Sequence, residues 1–521
     1  MTEAELAAAP PLWPVPGKAG HAISDRASPL WPVSDRASPL WPVSDRASSA
    51  TRSLTPSELA AALTPIYGAA AVEAGQLTRY SNALAAFIAQ AGPGPARFFR
   101  APGRVNLIGE HTDYNHGYVL PMALDKDILF VARPREDGVV NLWNVEPARF
   151  PARTFAIGPD IPRSPLGDWA NYVKGAAQAL CQTAGRELRG ADIVASGQAP
   201  WGVPPAAGLS SSSALTVVAA LTLATLNGLD LPKLALAPLC SEAEWYVGTR
   251  GGIMDQFISI LAERDRALLL DCRPRPGSQP GEVRYAMRHV PLPPGYNMLI
   301  FNSAVQREKT KSLFNVRVAE CRIGVALLRQ RSPGITHLRD ISAETLGLPE
   351  AAVLALLDDL LPEATTQQAL AAAGALDDPL TAMFADYRLA DDQVYRVRPR
   401  CRHVITENAR VLASEAALAA GDVRRFGQLM NAAHESMSRD YAASCPEVDT
   451  LAALCRECDG VLGARVTGAG WGGCVVALVA AGHEADVLAR VTVRYRVAIQ
   501  PQAVPGEGFV CASAPGAGEV C

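Results

Sequence analysis

The feature that most constrains the fold is a serine-rich segment that leads directly into a long apolar run. Residues 208–213 read Gly-Leu-Ser-Ser-Ser-Ser, residues 214–226 are apolar apart from threonines, and Asn227 and Gly228 follow. Serine favours the N-cap of a helix and an Asn-Gly pair is typical of a helix end, so the segment predicts a helix opened by the serines. Because the run is apolar on every side, we expect this helix to be buried. Its first turn would present free N–H groups and the positive end of the helix dipole, which suits a phosphate; the alternative is an ordinary serine-capped core helix.

The composition narrows the class of protein. A chain of 521 residues is long enough for two or more domains, and 49% hydrophobic against 19% charged residues is typical of a folded protein of the α/β type. The formal net charge of −4 gives no general attraction to nucleic acid or to a membrane surface, so neither is expected as a partner. The 11 scattered cysteines favour reduced thiols and a cytoplasmic location. Neither a secretory signal nor a membrane-spanning run of about 18 apolar residues is indicated.

The first fifty residues carry a tandem repeat. The motif Pro-Leu-Trp-Pro-Val begins at Pro11, Pro29 and Pro39. Because proline occurs in every copy, the repeat cannot sustain a helix or a central strand. We therefore predict that residues 1–54 form a disordered tail, with a tryptophan-proline docking motif as the alternative.

A dense group of polar residues follows an aromatic segment and the Pro102-Gly103 turn. It surrounds Gly109, is flanked by apolar runs, and consists of Arg104, Glu110, His111, Asp113 and Asn115. One such residue alone would be read as a solvated loop charge, but five within twelve positions favour a binding site. Acid, imidazole and amide groups together suit a ligand with many hydroxyl groups.

Three further residues have both a functional and a structural interpretation. Trp169 opens a predicted helix and is either an exposed wall for a flat ligand or an anchor at the helix start. Glu244 lies on a predicted helix over residues 231–247. Asp255 stands among apolar neighbours, where it either caps a helix over residues 256–262 or accepts a proton.

A glycine-rich segment late in the chain matches the dinucleotide-binding fingerprint by its letters, at Gly468, Gly470 and Gly473. The context contradicts that reading, since a β-branched run follows where a helix should begin. We predict a strand, a glycine turn and a second strand, with the backbone close to a ligand or to the serine segment.

Periodicity and turn residues predict the remaining elements. Helices are expected from residue 56 and over 77–91, 314–330, 403–419 and 423–438, and strands over 128–132, 139–143, 191–195 and 298–302. Residues of about 335–400 predict a peripheral helical insertion. We divide the ordered chain into an N-terminal domain, residues 55–290, and a C-terminal domain, residues 291–521.

Taken together, residues 102–115, 204–215 and 467–474 resemble the motifs of the GHMP small-molecule kinase family, and the resemblance extends from about residue 56 to the C-terminus. Residues 102–115 are similar to the signature of the members that phosphorylate galactose. The resemblance implies an α+β fold of two domains with the active site in the cleft between them. It also implies ATP-dependent phosphorylation of the C1 hydroxyl of D-galactose, with Mg²⁺ as the metal and galactose and ATP as the partners of a monomer or weak oligomer. The alternatives are a kinase for a related sugar, arabinose or galacturonate, and a non-catalytic sensor of galactose and ATP.

The resemblance also implies roles for individual residues. Asp255 would be the base for the sugar hydroxyl, with Arg104 steadying the transferring group, and Ser212 and Glu244 would hold Mg²⁺. The residues implied for the sugar are Arg104, Glu110, His111, Asp113, Gly252, Asp255 and Phe314. Those implied for ATP are Trp169, Gly208, Leu209, Ser210, Ser211, Ser212, Ser213, Ala214, Gly468 and Gly470.

The chain departs from the family pattern at three positions. Ala206 replaces a glycine of the serine segment, Gln306 stands where a basic residue is usual although Arg307 is adjacent, and Phe314 replaces a sugar-contacting tyrosine. Loss of the tyrosine hydroxyl removes one hydrogen-bond partner, which bears on the choice of sugar.

Overall fold

A computed structural model of the protein describes residues 55–248, 251–277, 283–305, 310–499 and 508–520. The predicted disordered tail and the departures at Gln306 and Arg307 lie outside these ranges. The strands of the described chain, numbered in chain order, are β1 (Arg97–Asn106), β2 (Tyr118–Val119), β3 (Pro121–Pro134), β4 (Val139–Asn144), β5 (Arg153–Ala156), β6 (Ala191–Ser196), β7 (Arg266–Asp271), β8 (Arg275–Pro276), β9 (Val283–Arg284), β10 (Met287–Pro291), β11 (Tyr296–Asn302), β12 (Val461–Thr467), β13 (Cys474–Ala480), β14 (Gly508–Cys511) and β15 (Gly518–Glu519).

The strands form two larger sheets and two smaller ones. The first large sheet has the order β15-β1-β3-β6-β4-β5, antiparallel except where β4 runs parallel to β6. The second has the order β12-β13-β11-β14 and is antiparallel throughout. A three-stranded sheet, β10-β7-β2, and the β8-β9 pair complete the set. The predicted strands are confirmed, and β3 extends well beyond its predicted bounds.

Helices make up much of the described chain outside the strands. The α-helices are Pro56–Tyr67, Ala69–Ala71, Leu77–Ala91, Ala170–Ala184, Ser211–Leu226, Lys233–Trp245, Met254–Leu261, Thr310–Arg331, Ala343–Leu346, Glu350–Leu360, Gln367–Ala372, Asp378–Tyr387, Val397–Ala419, Val423–Arg439, Pro446–Arg456 and Glu484–Ile499. The helices predicted from periodicity are therefore confirmed, and four short ones lie in the segment predicted as a helical insertion. None of the helices in the described ranges has the length and apolar character needed to cross a membrane.

The serine segment opens a helix as predicted, but its cap differs from the prediction. The helix Ser211–Leu226, called here the serine-loop helix, is largely buried against the helix Ala170–Ala184 and strands β1 and β3. Ser210 occupies the N-cap position in a left-handed conformation, with φ 57° and ψ 38°, and its side chain makes no capping hydrogen bond. A serine thus occupies the N-cap position, as predicted, but its hydroxyl does not cap the helix because it donates to Asp255.

The described chain has two large hydrophobic cores. One lies between the six-stranded sheet and the serine-loop helix and also takes in one face of the four-stranded sheet, with residues such as Met298 and Cys474. The other packs the opposite face of the four-stranded sheet, with residues such as Leu299 and Val475, against the later helices. The end of the described chain returns to the six-stranded sheet, where Glu519 of β15 pairs with Phe99 of β1. The domain boundaries at residues 54 and 290 stay predictions.

A buried carboxylate attaches the first helices to the large sheet. Asp127 on β3 accepts hydrogen bonds from Arg79 at 2.8 Å, Arg100 at 2.6 Å and the Tyr67 hydroxyl at 2.5 Å. Burial alone would raise the pKa of Asp127, but the two guanidinium groups outweigh it and lower the pKa. One carboxylate thus balances two buried cations.

Replacement of Asp127 by asparagine should destabilise the protein strongly, because it leaves two buried guanidinium groups without a counter-charge. We expect a loss of about 3–5 kcal/mol in the free energy of unfolding, measured by chemical denaturation. The control is Asp358→Asn, which removes a half-exposed ion pair with Arg402 and should cost less than about 1 kcal/mol. Equal losses in the two variants would contradict this account.

Candidate functional site

A cavity of about 560 Å³ brings most of the predicted site residues together. Its walls come from the polar group after β1, the serine segment, the start of the helix Met254–Leu261, the helix Thr310–Arg331 and the glycine turn between β12 and β13. The predicted residues that line it are Arg104, Glu110, His111, Asp113, Gly208, Ser210, Ser211, Ser212, Ser213, Glu244, Gly252, Asp255, Phe314, Gly468 and Gly470. Leu209 and Ala214 are buried in the core behind the serines.

Arg104 reaches the cavity because of an irregularity in its strand. The pairing of β1 with β3 shifts register between Pro102 and Arg104. A Cβ on Gly103 would lie 2.6 Å from the Leu209 carbonyl oxygen, so only glycine allows β1 to approach the serine segment this closely. The Arg104 guanidinium then donates to the Gly208 carbonyl at 2.7 Å.

Asp255 is clamped by Arg104 and does not cap a helix. It lies in the first turn of the helix Met254–Leu261, whose N-cap is Ile253, so the capping alternative is wrong. Arg104 donates from Nε to Oδ1 at 2.8 Å and from Nη2 to Oδ2 at 3.0 Å. Such a two-point pair fixes the orientation of the carboxylate.

Glu110 lies between the two halves of the chain. Its Oε1 accepts a hydrogen bond from the Gly468 N–H at 3.2 Å, and Arg465 of β12 forms an ion pair with its other oxygen. Burial raises the pKa of Glu110 to about 7 against the lowering effect of Arg465, and the neighbouring Glu407 adds to the rise. Sequence reasoning missed Arg465, whose only signal was an arginine inside an apolar strand.

His111 bridges the first polar group and the glycine turn. It has a left-handed backbone, with φ 62°, and its Nε2 lies 3.0 Å from the Ala469 carbonyl oxygen. Because a carbonyl only accepts, Nε2 carries the proton, and Nδ1 accepts from the Tyr114 hydroxyl at 2.6 Å. Burial lowers the pKa of His111 to about 3, so the ring is neutral.

Asp113 lies directly against Gly252. A Cβ on Gly252 would stand 1.8 Å from an Asp113 carboxylate oxygen, so that position requires glycine. Burial, and then the charge of Asp255, raises the pKa of Asp113 to about 6. Phe314 closes the same side of the cavity, with its ring centroid 5.0 Å from that of Tyr114.

The glycine turn packs directly on the serine segment. A Cβ on Gly468 would lie 2.6 Å from the Gly208 carbonyl oxygen, and Gly468 has φ +81°. The predicted strand–glycine turn–strand is confirmed by β12 and β13, as is the prediction that its backbone lies close to the serine segment. The turn therefore helps to form the wall of the cavity where a phosphate would meet the first N–H groups of the serine-loop helix.

Glu244 and Gln256 form a second polar pair beside the serine-loop helix. The Gln256 amide donates to a Glu244 oxygen at 2.8 Å, and the amide's own Oε1 is buried and has no hydrogen-bond partner within the described ranges. Burial raises the pKa of Glu244 to about 7 against the lowering effect of a Ser213 hydrogen bond, and the charge of Asp255 adds to the rise. The positive charge near this carboxylate is therefore too small to offset the effect of burial on its pKa.

Trp169 is buried, contrary to the exposed alternative. It is 8% exposed, its Nε1 donates to the Pro151 carbonyl at 3.0 Å, and its ring contacts Phe150. Trp169 does not line the cavity, whereas Tyr172, three residues further along the helix Ala170–Ala184, does. The sequence did not point to Tyr172, although its spacing of three residues from Trp169 makes the two side chains neighbours on the helix surface. A contact of Trp169 with ATP stays a prediction.

Three protein-family models match the chain. They are the galactokinase galactose-binding signature over residues 85–134, the GHMP kinases N-terminal domain over residues 171–263 and the GHMP kinases C-terminal domain over residues 414–495. Together with the α+β fold and the two halves that meet at the cavity, they define a GHMP kinase.

Individual relatives narrow this class. The galactokinases of Roseiflexus sp. (strain RS-1) and Chloroflexus aurantiacus are 40% and 36% identical to the chain, cover 74% and 85% of it, and are themselves covered over 84% and 97% of their lengths. The crystal structure of Lactococcus lactis galactokinase complexed with galactose matches with a TM-score of 0.69 and 31% identity, over 84% of this chain and 99% of that one. The chain belongs to the galactokinase family, and the predicted family and fold class are confirmed.

Replacement of Gly468 by alanine should impair the site more than its backbone strain alone explains. The added Cβ would force the glycine turn away from Gly208, so we expect turnover to fall by at least about tenfold. The matched control is Gly482→Ala, since Gly482 has φ +93° but open space around its Cβ position. Gly482→Ala should lose about 1–2 kcal/mol of stability from left-handed strain, measured by thermal unfolding, and Gly468→Ala should lose more, because its Cβ also meets a backbone oxygen. Unchanged turnover in Gly468→Ala would contradict the close contact.

Proposed function

We propose that this galactokinase transfers the γ-phosphoryl group of ATP to the C1 hydroxyl of D-galactose in the cavity between its two halves. The observation that carries the proposal is the Arg104–Asp255 pair, which touches the serine segment on one side and faces the polar group after β1 on the other. This pair stands where a phosphate site and a hydroxyl-binding site meet.

Asp255 is the group suited to receive the proton of the sugar hydroxyl. Its carboxylate is held at both oxygens by Arg104, and its side chain is 25% exposed toward the cavity. A positioned carboxylate that accepts a proton contributes about 10²–10⁴-fold to the rate of such a step. Arg104 keeps the carboxylate oriented and places a fixed positive charge beside the transferring group.

The sugar would be held by Glu110, His111, Asp113, Gly252 and Phe314. Acidic oxygens would accept the sugar O–H groups, the bare Gly252 backbone lets the Asp113 carboxylate lie directly against it, and Phe314 offers an apolar face. His111 has both ring nitrogens engaged within the protein, so its direct contact with the sugar needs a change of partner.

The phosphates would lie against the serine segment and the glycine turn. Backbone N–H groups and the helix dipole at residues 208–214 attract the anion, and Gly468 and Gly470 allow the opposite wall to approach. Tyr172 extends the same side of the cavity.

Ser212 and Glu244 are the residues that would hold Mg²⁺. The fit rests on Glu244, a carboxylate whose pKa is raised to about 7, and on the unpartnered Oε1 of Gln256 beside it. Oxygen ligands of this kind suit Mg²⁺, which when bound would neutralise charge on the transferring phosphoryl group. A cytoplasmic location and a monomeric or weakly oligomeric state stay predictions.

Replacement of Asp255 by asparagine should abolish turnover while leaving binding intact. We expect kcat to fall by about 10²–10⁴-fold, with galactose and ATP still binding in calorimetry, because the amide keeps the shape but cannot accept the proton.

The wild-type enzyme, offered galactose, arabinose and galacturonate with Mg-ATP, should form the 1-phosphate of galactose fastest. Near-normal turnover in Asp255→Asn, or a preference for another sugar, would overturn the proposal.

Binding of Mg-ATP should release a proton from Glu244 near pH 6.5. The raised pKa means that Glu244 is mostly protonated in the ligand-free protein up to about pH 7, which favours the folded state at low pH and ceases to do so as the pH rises through 7. A bound cation reverses that preference and expels the proton. Calorimetry in buffers of different ionisation enthalpy measures the release.

The release should disappear in Glu244→Gln. It should persist in the control Glu263→Gln, which changes an exposed carboxylate paired with Arg266. If the proton release is the same in Glu244→Gln as in the wild type, Glu244 is not the group that responds to the metal.

A further inference from the structure

The hydroxyl of Ser210 is bonded to the carboxylate of Asp255. Its Oγ donates to Oδ2 at 2.5 Å, and Ser210 is 8% exposed. The hydroxyl reaches this position because Ser210 adopts a left-handed backbone, with φ 57°. Non-glycine residues rarely adopt that conformation, so its occurrence next to the reacting carboxylate is evidence of a function for the side chain.

The donors around Asp255 are distributed unequally between its two oxygens. Oδ2 accepts from Arg104 Nη2 at 3.0 Å and from Ser210 Oγ at 2.5 Å, whereas Oδ1 accepts only from Arg104 Nε at 2.8 Å among the described residues. Each carboxylate oxygen has about two acceptor sites. Oδ2 is therefore filled, and Oδ1 keeps one site open.

We propose that Ser210 is a positioning residue that occupies Oδ2 and so makes Oδ1 of Asp255 the atom that accepts the proton of the sugar hydroxyl. This inference rests on the proposed role of Asp255 as the base. In the step, the O–H bond of the C1 hydroxyl breaks and its proton passes to Oδ1. The freed electron pair forms the new O–P bond as the bond from the γ-phosphorus to the ADP oxygen breaks.

The serine segment then has two functions. Ser210 and Ser213 lie one helical turn apart and engage the two acidic groups, Asp255 and Glu244. Ser211 and Ser212 lie between them and line the cavity, where they stay available to a ligand. A phosphate-binding segment thereby also orients the base.

Two substitutions separate the hydroxyl from the backbone. Ser210→Ala and Ser210→Gly both remove the donor, but glycine adopts φ 57° without strain, so Ser210→Gly should be at least as stable as the wild type. We expect both variants to lose roughly ten- to a hundredfold in kcat, the size of a lost hydrogen bond to a charged group. The KM values for galactose and ATP should stay within about threefold, because both variants keep the backbone N–H groups proposed to meet the phosphates and lose only the hydroxyl that donates to Asp255.

The matched control is Ser259→Ala. Ser259 lies one turn along the same helix as Asp255, is buried, and donates to the Pro102 carbonyl at 2.8 Å instead of to the carboxylate. Its kcat should match that of the wild type. Full activity of Ser210→Gly would overturn the proposal, because it would mean that only the backbone at this position matters.

The double variant Ser210→Gly, Asp255→Asn distinguishes the two proposals. If Ser210 acts through Asp255, removal of its hydroxyl should cause no further loss once the carboxylate is gone. Losses that add in full would overturn the role of Ser210 and leave that of Asp255 intact. Normal turnover of Asp255→Asn alone would instead overturn the proposed base, and with it this inference.

Discussion

The ion pair between Arg104 and Asp255 is the contact on which the site depends. A single guanidinium joins three separate parts of the chain, since it belongs to β1, pairs with the first turn of the helix Met254–Leu261, and donates to the Gly208 carbonyl of the serine segment. The Arg104 side chain is almost wholly buried, while its partner faces the cavity. A buried cation requires its counter-charge, so the fold itself holds the carboxylate in the position proposed for the base.

Among the described residues that line the cavity, acidic side chains outnumber basic ones. Glu110, Asp113 and Glu244 all have pKa values raised by burial, to about 7, 6 and 7, whereas Arg104 is the cation that lines the cavity among the described residues. Protonated or partly protonated acids suit a ligand rich in hydroxyl groups, and carboxylate oxygens are also the ligands that the proposed Mg²⁺ would take.

The sequence predicted those parts of the structure that local pattern determines. The serine-loop helix, the helix Leu77–Ala91 and the β12–β13 turn all follow from apolar periodicity and from the positions of Gly, Asn and Pro. What it did not predict depends on contacts between distant residues. The Ser210 hydroxyl does not cap the helix but donates to the carboxylate of Asp255, 45 positions away. Arg465, from the other half of the chain, forms an ion pair with Glu110. The spacing of neighbouring residues does not predict such pairs, and stronger tertiary contacts override the local conformational preference of a segment.

The two halves of the chain meet through backbone groups as much as through side chains. Glu110 accepts from the Gly468 N–H, His111 donates to the Ala469 carbonyl, and a Cβ on Gly468 would collide with Gly208. The residues proposed to hold the sugar therefore fix the turn proposed to hold the phosphates, and glycine is needed because the contact leaves no room for a side chain. A displacement of either proposed binding region must therefore displace the other, because packed interfaces shift as units and do not deform gradually. The proposed sugar and phosphate sites are therefore joined by one set of backbone contacts.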